Sequence, residues 1–318
     1  VVTARTRRPL RDRLVAGETV LLDAAMGTDL DRRGLTTRLP LWSALGVLER
    51  PDLVRDIHVD NLRAGADIVT TCTFRTTGRT LAKAGLEPGL AVDLDRRAVE
   101  LANEARAIAG RADALIAGSI APLEDCYSPE LTPDLTTASR EHRSQARSLA
   151  AAGVELLMVE TMPTVREAVS ALAAARETGL DATIGFVCER GSDGWVRLLG
   201  GETLSEAVVA VSRLDPAAIV VNCAPAPVIA AALAELRELT DVPLGGYANA
   251  GTVDHDRGWA PDPHLNGDAY AIQVAEWLGL GAKIVGGCCG THAAHVAAVR
   301  QMLGAARLPT TTMANTAR

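Results

Sequence analysis

Aromatic residues are scarce in this 318-residue chain, where four Trp, three Tyr and two Phe make up 3% of the total. Stacking on bases or sugars therefore cannot be a widespread theme. Positive charge is in deficit too, with 32 Lys+Arg against 39 Asp+Glu and a formal net charge of −7. That balance argues against a general polyanion binder, and nucleic acid is not an expected partner. No window reaches the roughly 18–20 apolar residues of a membrane span, so no membrane partner is expected. The basic start VVTARTRRPLRDR has no apolar run behind it of the kind a secretory signal carries. We expect a cytoplasmic protein, with an organelle transit peptide as the alternative. The glycine spacing of a dinucleotide fingerprint is missing as well, since the first expected strand runs into LDAAMGT.

Hydrophobic residues at 48% and charged residues at 22% are ordinary for a globular chain with a substantial core. Short β-rich runs at 20–23, 67–71, 114–119, 156–160, 183–187, 218–222, 242–247 and 283–286 alternate with stretches of helical period. The helices fall at 51–64, 93–109, 136–152, 164–178, 203–214, 226–239, 268–280 and 291–305. Eight βα units with crossovers suited to parallel strands predict a single-domain α/β fold, a (β/α)8 TIM barrel over 14–305. An open doubly wound sheet is the competing architecture. Residues 1–13 form an N-terminal segment, and 306–318, without apolar period, are expected to be a disordered tail. No heptad or separate association segment is present, so the sequence leaves a homo-oligomer open.

Six cysteines are many for such an interior, and apart from one adjacent pair they are scattered. That pattern is unlike a disulfide framework and reads as reduced thiols. Catalytic groups of a barrel sit at the C-terminal ends of its strands. Strand six ends IVVN-Cys223, and strand eight ends IVGG-Cys288-Cys289-GT. These two strands flank strand seven, so three sulfurs converge above it. Three thiolates make a good Zn2+ site with the fourth position left open, the mark of a catalytic ion. The glycines let the backbone bring two consecutive side chains to one metal. The alternatives are small buried hydrophobes at strand ends, or a vicinal Cys288–Cys289 disulfide with redox chemistry. Cys72, Cys126 and Cys188 are expected to pack or line a pocket. Asp29 and Asp31 are expected at the solvated surface. His58, His142, His292 and His295 are expected at surface helix positions rather than in a second metal site.

One ordered set of segments runs through the chain: LLDAAMGTDL with RRG after it, LWSA, His58 to Gly65 leading into ADIVTTCTF, GSIAP, VETMP, NCA, YANAG and GGCCGT. The set resembles the homocysteine S-methyltransferases, zinc-dependent thiol methyltransferases on a (β/α)8 barrel, and covers 14–303. The resemblance implies methyl transfer to the thiol of L-homocysteine, giving methionine, with Cys223, Cys288 and Cys289 acting through zinc. It also implies that Glu160 holds the substrate amino group, and that the turn after Asp23 receives the substrate carboxylate on backbone amides. Trp42, Thr73, Phe74, Tyr247 and Asn249 complete the expected substrate-binding set, with Trp259 a further pocket aromatic. Arg75 stands where betaine-using relatives carry an aromatic residue, and Thr161 replaces their tyrosine. No long C-terminal extension and no folate or cobalamin module is seen. The expected donor is therefore S-methylmethionine or S-adenosylmethionine. Another thiol or selenol acceptor, another donor, a thiol–disulfide enzyme and a non-catalytic zinc-binding barrel are the alternatives.

Overall fold

Eight short apolar segments pair side by side in parallel, and their near-continuous burial is what a sheet covered on both faces demands. The computed structural model describes residues 7–252 and 259–305. Its barrel strands are β1 (Val20–Leu21), β2 (Ile68–Thr70), β3 (Leu115–Ile120), β4 (Leu156–Met162), β5 (Asp181–Phe186), β6 (Ala218–Pro225), β7 (Leu244–Asn249) and β8 (Ala282–Gly287). The hydrogen-bonded order runs β1-β8-β7-β6-β5-β4-β3-β2. A parallel bridge between Leu22 and Ile68 and a 2.7 Å bond from Asp67 N to Leu21 O join the first strand to the second. The ring is thereby closed, and the chain forms a single (β/α)8 barrel.

The outer helices are α1 (Pro51–Ala64), α2 (Leu90–Ile108), α3 (Leu135–Ala152), α4 (Val165–Arg176), α5 (Leu204–Ser212), α6 (Ala226–Leu236), α7 (Gly267–Gly279) and α8 (Ala293–Ala305). Local chemistry starts them: Pro51 opens α1, Asp134 caps α3, Thr164 caps α4, Asn266 caps α7, and Thr203 with Glu206 forms a capping box on α5. Alternating strand residues fill two apolar layers. The inner one, with Val20, Ile68, Leu156, Met158, Val220 and Ile284, also takes Leu10 and Leu14 from a short helix at Leu10–Val15. That helix stoppers the end of the barrel where the strands begin. Beside it Asp67, 3% exposed, accepts from Leu21 N (3.0 Å) and pairs with Arg300 (2.7 Å) and Arg13 (3.4 Å). No helix among the described residues is long and apolar enough to cross a membrane.

At the opposite end the ladder is broken on purpose of the site. Register shifts interrupt β4 between Val159 and Met162 and β6 between Asn222 and Pro225. Inside them Thr161 and Cys223 adopt left-handed backbone, with φ of 62° and 55°. Such angles are strained for residues with a Cβ and persist only where neighbours impose them. Asn222 Oδ1 accepts from Thr161 N (2.9 Å) and Asn222 Nδ2 donates to Thr161 Oγ1 (2.7 Å), clasping β4 to β6 across the end of β5. Gly185 of β5 leaves the space, for a Cβ there would meet Asn222 Oδ1 at 2.7 Å and Glu160 Cα at 3.2 Å.

Three expectations about polar positions are corrected. Asp29 is 1% exposed and paired with Arg32 (2.6 Å) and Arg33 (3.1 Å), whereas Asp31 is only half-buried, accepting from Thr37 N and Oγ1, and is not one of the three. His58 and His142 are fully buried, the latter 3.3 Å from Glu167 Oε1. His295 is buried as well, with Nε2 2.9 Å from Leu265 O. The expected tail 306–318 lies outside the described residues, as do 253–258.

Candidate active site and metal centre

The strand ends surround a cavity of about 870 Å³. Cys223, Cys288 and Cys289 meet on its wall with their sulfurs all within 4.8 Å of one another, Cys223 Sγ lying 3.9 Å from Cys289 Sγ. These three could hold a metal ion, and no other such group occurs among the described residues. The vicinal pair is pinned by Cys288 N donating to Ala248 O (2.8 Å), Ala250 N donating to Cys289 O (2.7 Å), and Thr291 Oγ1 donating to Cys288 O (2.7 Å). Gly290 turns the chain at φ 84°, where a Cβ would lie 2.3 Å from Ala250 O. Hydrogen bonds from Cys288 and Cys289, then from Tyr127 and Asn249, pull the Cys223 thiol below the ordinary range. Their hydrogen bonds to Cys223, then burial and the Cys223 charge, hold Cys288 and Cys289 above that range, as expected where crowded thiols share one ionisation.

Two carboxylates line the same cavity. Asp23, just past β1, accepts from Thr70 N (2.8 Å) and Thr70 Oγ1 (3.0 Å). Glu160, in β4, accepts from Ser119 Oγ (2.5 Å) and from Tyr247 OH (3.1 Å). Burial pushes each up to about 7 against the pull of these donors, and the Glu160 charge adds to the rise at Asp23. Such a pair offers a cation a favourable site, because a positive charge would stabilise the ionised carboxylates. Burial and the neighbouring Glu160 hold the Tyr247 phenol well above its ordinary range, so it stays a donor.

Of the remaining expected residues, Trp42, Phe74 and Trp259 line the cavity. Trp42 lies against Gly27, where an added Cβ would come within 2.4 Å of its Nε1. Asn249 sits behind Cys223, its Nδ2 3.5 Å from Tyr127 OH. Thr73 is not brought into the cavity. It is fully buried and donates to Ser119 O (2.9 Å), bracing the residue that holds Glu160. The turn after Asp23 commits its first two amides elsewhere, Ala24 N to Asn61 Oδ1 (3.2 Å) and Ala25 N to Thr291 Oγ1 (3.3 Å), so neither is free for a substrate carboxylate. Cys72 and Cys126 line the cavity, Cys72 with its thiol donating to Ser43 O (3.1 Å) and pushed up to about 12 by burial. Cys188 starts a hairpin (Cys188–Arg190 with Val196–Leu198) and packs in the core, so a fourth cysteine does not close the thiol cluster.

Tyr127 is the contact to the thiol cluster that the sequence did not disclose. Its OH lies 3.1 Å from Cys223 Sγ and 3.2 Å from Cys223 O. It belongs to an irregular loop between β3 and α3 that carries no periodicity. The sole signal was one of three tyrosines beside a cysteine.

A closed barrel with convergent thiols and a buried acid pair at its C-terminal mouth defines an enzyme that works on a small molecule there. Residues 20–303 match the family described as homocysteine S-methyltransferase. The chain belongs to that family and is a methyltransferase. It is 33% identical to the homocysteine S-methyltransferase of Escherichia coli (strain K12), over 92% of this chain and 97% of that one. It is 28% identical to the selenocysteine Se-methyltransferase of Brassica oleracea var. italica, over 90% and 89%. Among solved structures, the metallated form of the homocysteine methyltransferase MmuM from Escherichia coli superposes with a TM-score of 0.78 at 32% identity, covering 93% of this chain and 100% of that one.

Proposed function

We propose that the protein transfers a methyl group from a sulfonium donor, S-methylmethionine or S-adenosylmethionine, to the thiol of L-homocysteine, giving methionine, at a Zn2+ site made by Cys223, Cys288 and Cys289. The observation that carries this reading is that three thiols and two buried carboxylates face one cavity. An aminothiol needs both, an anionic grip for its ammonium and a place for its sulfur. The 3.9 Å between Cys223 and Cys289 fits a tetrahedral ion, since bonds of about 2.3 Å place sulfurs about 3.8 Å apart. An all-thiol donor set favours a soft ion such as zinc. Bound there, zinc supplies the positive charge that lets a substrate thiol lose its proton near neutral pH and become a nucleophile.

The chain's own groups align the reactants. Asp23 and Glu160 take the acceptor ammonium, whose charge stabilises their ionised forms. Ser119 and Tyr247 each donate to one oxygen of Glu160 and fix its plane. Trp42, Phe74 and Trp259 line the cavity, and the two indoles are suited to attract a sulfonium. In the transfer, the acceptor sulfur's electron pair forms the new S–C bond. The methyl–sulfonium bond breaks, its pair stays on the departing thioether, and the acceptor's proton goes to solvent.

Incubating the zinc-loaded protein with homocysteine and, in turn, S-methylmethionine, S-adenosylmethionine, betaine and methyltetrahydrofolate, with methionine followed by mass spectrometry, tests the reading. Methionine is expected from a sulfonium. Its absence with both sulfoniums overturns the donor assignment.

A further inference from the structure

Two arginines of the described chain are buried. Arg13 has its counter-charges, Glu18 at 3.1 Å and Asp67 at 3.4 Å. Arg75, 6% exposed on the cavity wall after β2, has none among the described residues. Its Nη1 donates to the Glu124 carbonyl (2.7 Å) and, at 3.4 Å, to the Pro122 carbonyl, its guanidinium lies 5.3 Å from the Phe74 ring centre, and its Nε has no partner. The acids nearby are engaged: the Glu124 carboxylate by Arg79 and Lys83, that of Asp125 by Tyr127 N and Ser128 Oγ. A buried cation without an anion is costly unless a ligand supplies one.

We propose that Arg75 anchors the carboxylate of the methyl donor, which makes the donor a sulfonium amino acid. The inference rests on the sulfonium reading above and specifies how that donor is held. The cavity is then electrically polar. Asp23, Glu160 and the thiols form an anionic wall, and Arg75 forms a cationic one. A sulfonium amino acid, a net cation with a single carboxylate, aligns in that field, its carboxylate on Arg75 and its S–CH3 driven away from the guanidinium towards the acceptor sulfur. The loop that Arg75 holds at Pro122 and Glu124 continues to Tyr127, whose OH touches Cys223, so anchor and thiol cluster are joined by a short stretch of chain. Planar bidentate recognition of carboxylate is what a guanidinium does best.

The test compares S-methylmethionine with (3-aminopropyl)dimethylsulfonium, the same molecule without its carboxylate. In the zinc-loaded wild type, losing the carboxylate is expected to lower kcat/KM by about 10–100-fold, the effect of one charge-assisted contact. Arg75→Met, which keeps the stem and loses the charge, is expected to bring S-methylmethionine down by that factor. The carboxylate-free donor and the KM for homocysteine should not change, and Arg75→Lys should recover part of the loss. The same pair of measurements with S-adenosylmethionine and its decarboxylated form covers a preference for the larger donor. If Arg75→Met lowers both members of a pair equally, or the wild type does not distinguish them, Arg75 serves only to hold its loop and the inference is wrong while the donor reading stands. Transfer from neither sulfonium removes both.

Discussion

Tyr127 acts on the thiol cluster without belonging to it. Its phenol, raised above its ordinary range by burial and by the Cys223 charge, stays protonated and donates to Cys223 Sγ. Groups that hydrogen-bond to metal ligands typically influence metal affinity by 10–100-fold. Tyr127→Phe is accordingly expected to weaken zinc retention by about 10-fold in competition with a chromophoric chelator, with folding unchanged. Zinc affinity equal to wild type would show that the contact is idle. The cysteines were legible because strand ends and flanking glycines leave a regular imprint in sequence. Tyr127 was not, because its position depends on the path of an irregular loop. Thr73 misled in the opposite way, since its neighbours reach the cavity while its own side chain turns to Ser119.

All eight strands were legible within a few residues, and α1 falls where its periodicity placed it, at Pro51–Ala64. The short helices at Ala44–Glu49 and Gly78–Lys83 were not foreseen. Six residues make fewer than two turns, too few for a 3.6-residue repeat to register. The bulged ends of β4 and β6 were equally hidden, because nothing in VETMP or VVNCA announces a register shift. The clasp between those ends gives a prediction about Gly185. Replacing it with alanine sets a Cβ 2.7 Å from Asn222 Oδ1, 3.0 Å from Val220 Cγ2 and 3.2 Å from Glu160 Cα. Gly185→Ala is expected to lower stability by about 1–3 kcal/mol in urea unfolding and to reduce kcat more than 10-fold by displacing Glu160 and Cys223 together. Wild-type kcat in this variant would mean the clasp does not position the site.

Closure of the ring is a whole-molecule property that pattern reading does not capture. It depends on the Leu22–Ile68 bridge and on Asp67 drawing Leu21, Arg13 and Arg300 together across more than two hundred residues. The histidines show the same limit, since a polar residue on an amphipathic helix reads as surface until the neighbouring helix is in place. His58 is fully buried with both ring nitrogens unpartnered, and burial pushes it down from 6.5 to about 4. As pH falls from about 6.5 to 4 the unfolded chain takes up this proton and the folded chain does not, so stability is lost over that window. Relative to wild type, His58→Leu is expected to gain stability progressively on acidification, reaching about 3 kcal/mol near pH 4. Urea unfolding of both proteins at pH 7 and pH 5 checks it, and a difference independent of pH would contradict it. The raised Asp23 and Glu160 act in the opposite sense, contributing stability below about 4 that is lost as pH rises through about 7, which is why the comparison is made between variants. The Thr161–Asn222 clasp has a last consequence. It couples the residue after Glu160 to the residue before Cys223, so the carboxylate and the thiol cluster keep a fixed spacing. Under the function proposed above, acceptors would be gauged by the number of bonds separating their nitrogen from their sulfur, much as a caliper with its jaws locked accepts a single width.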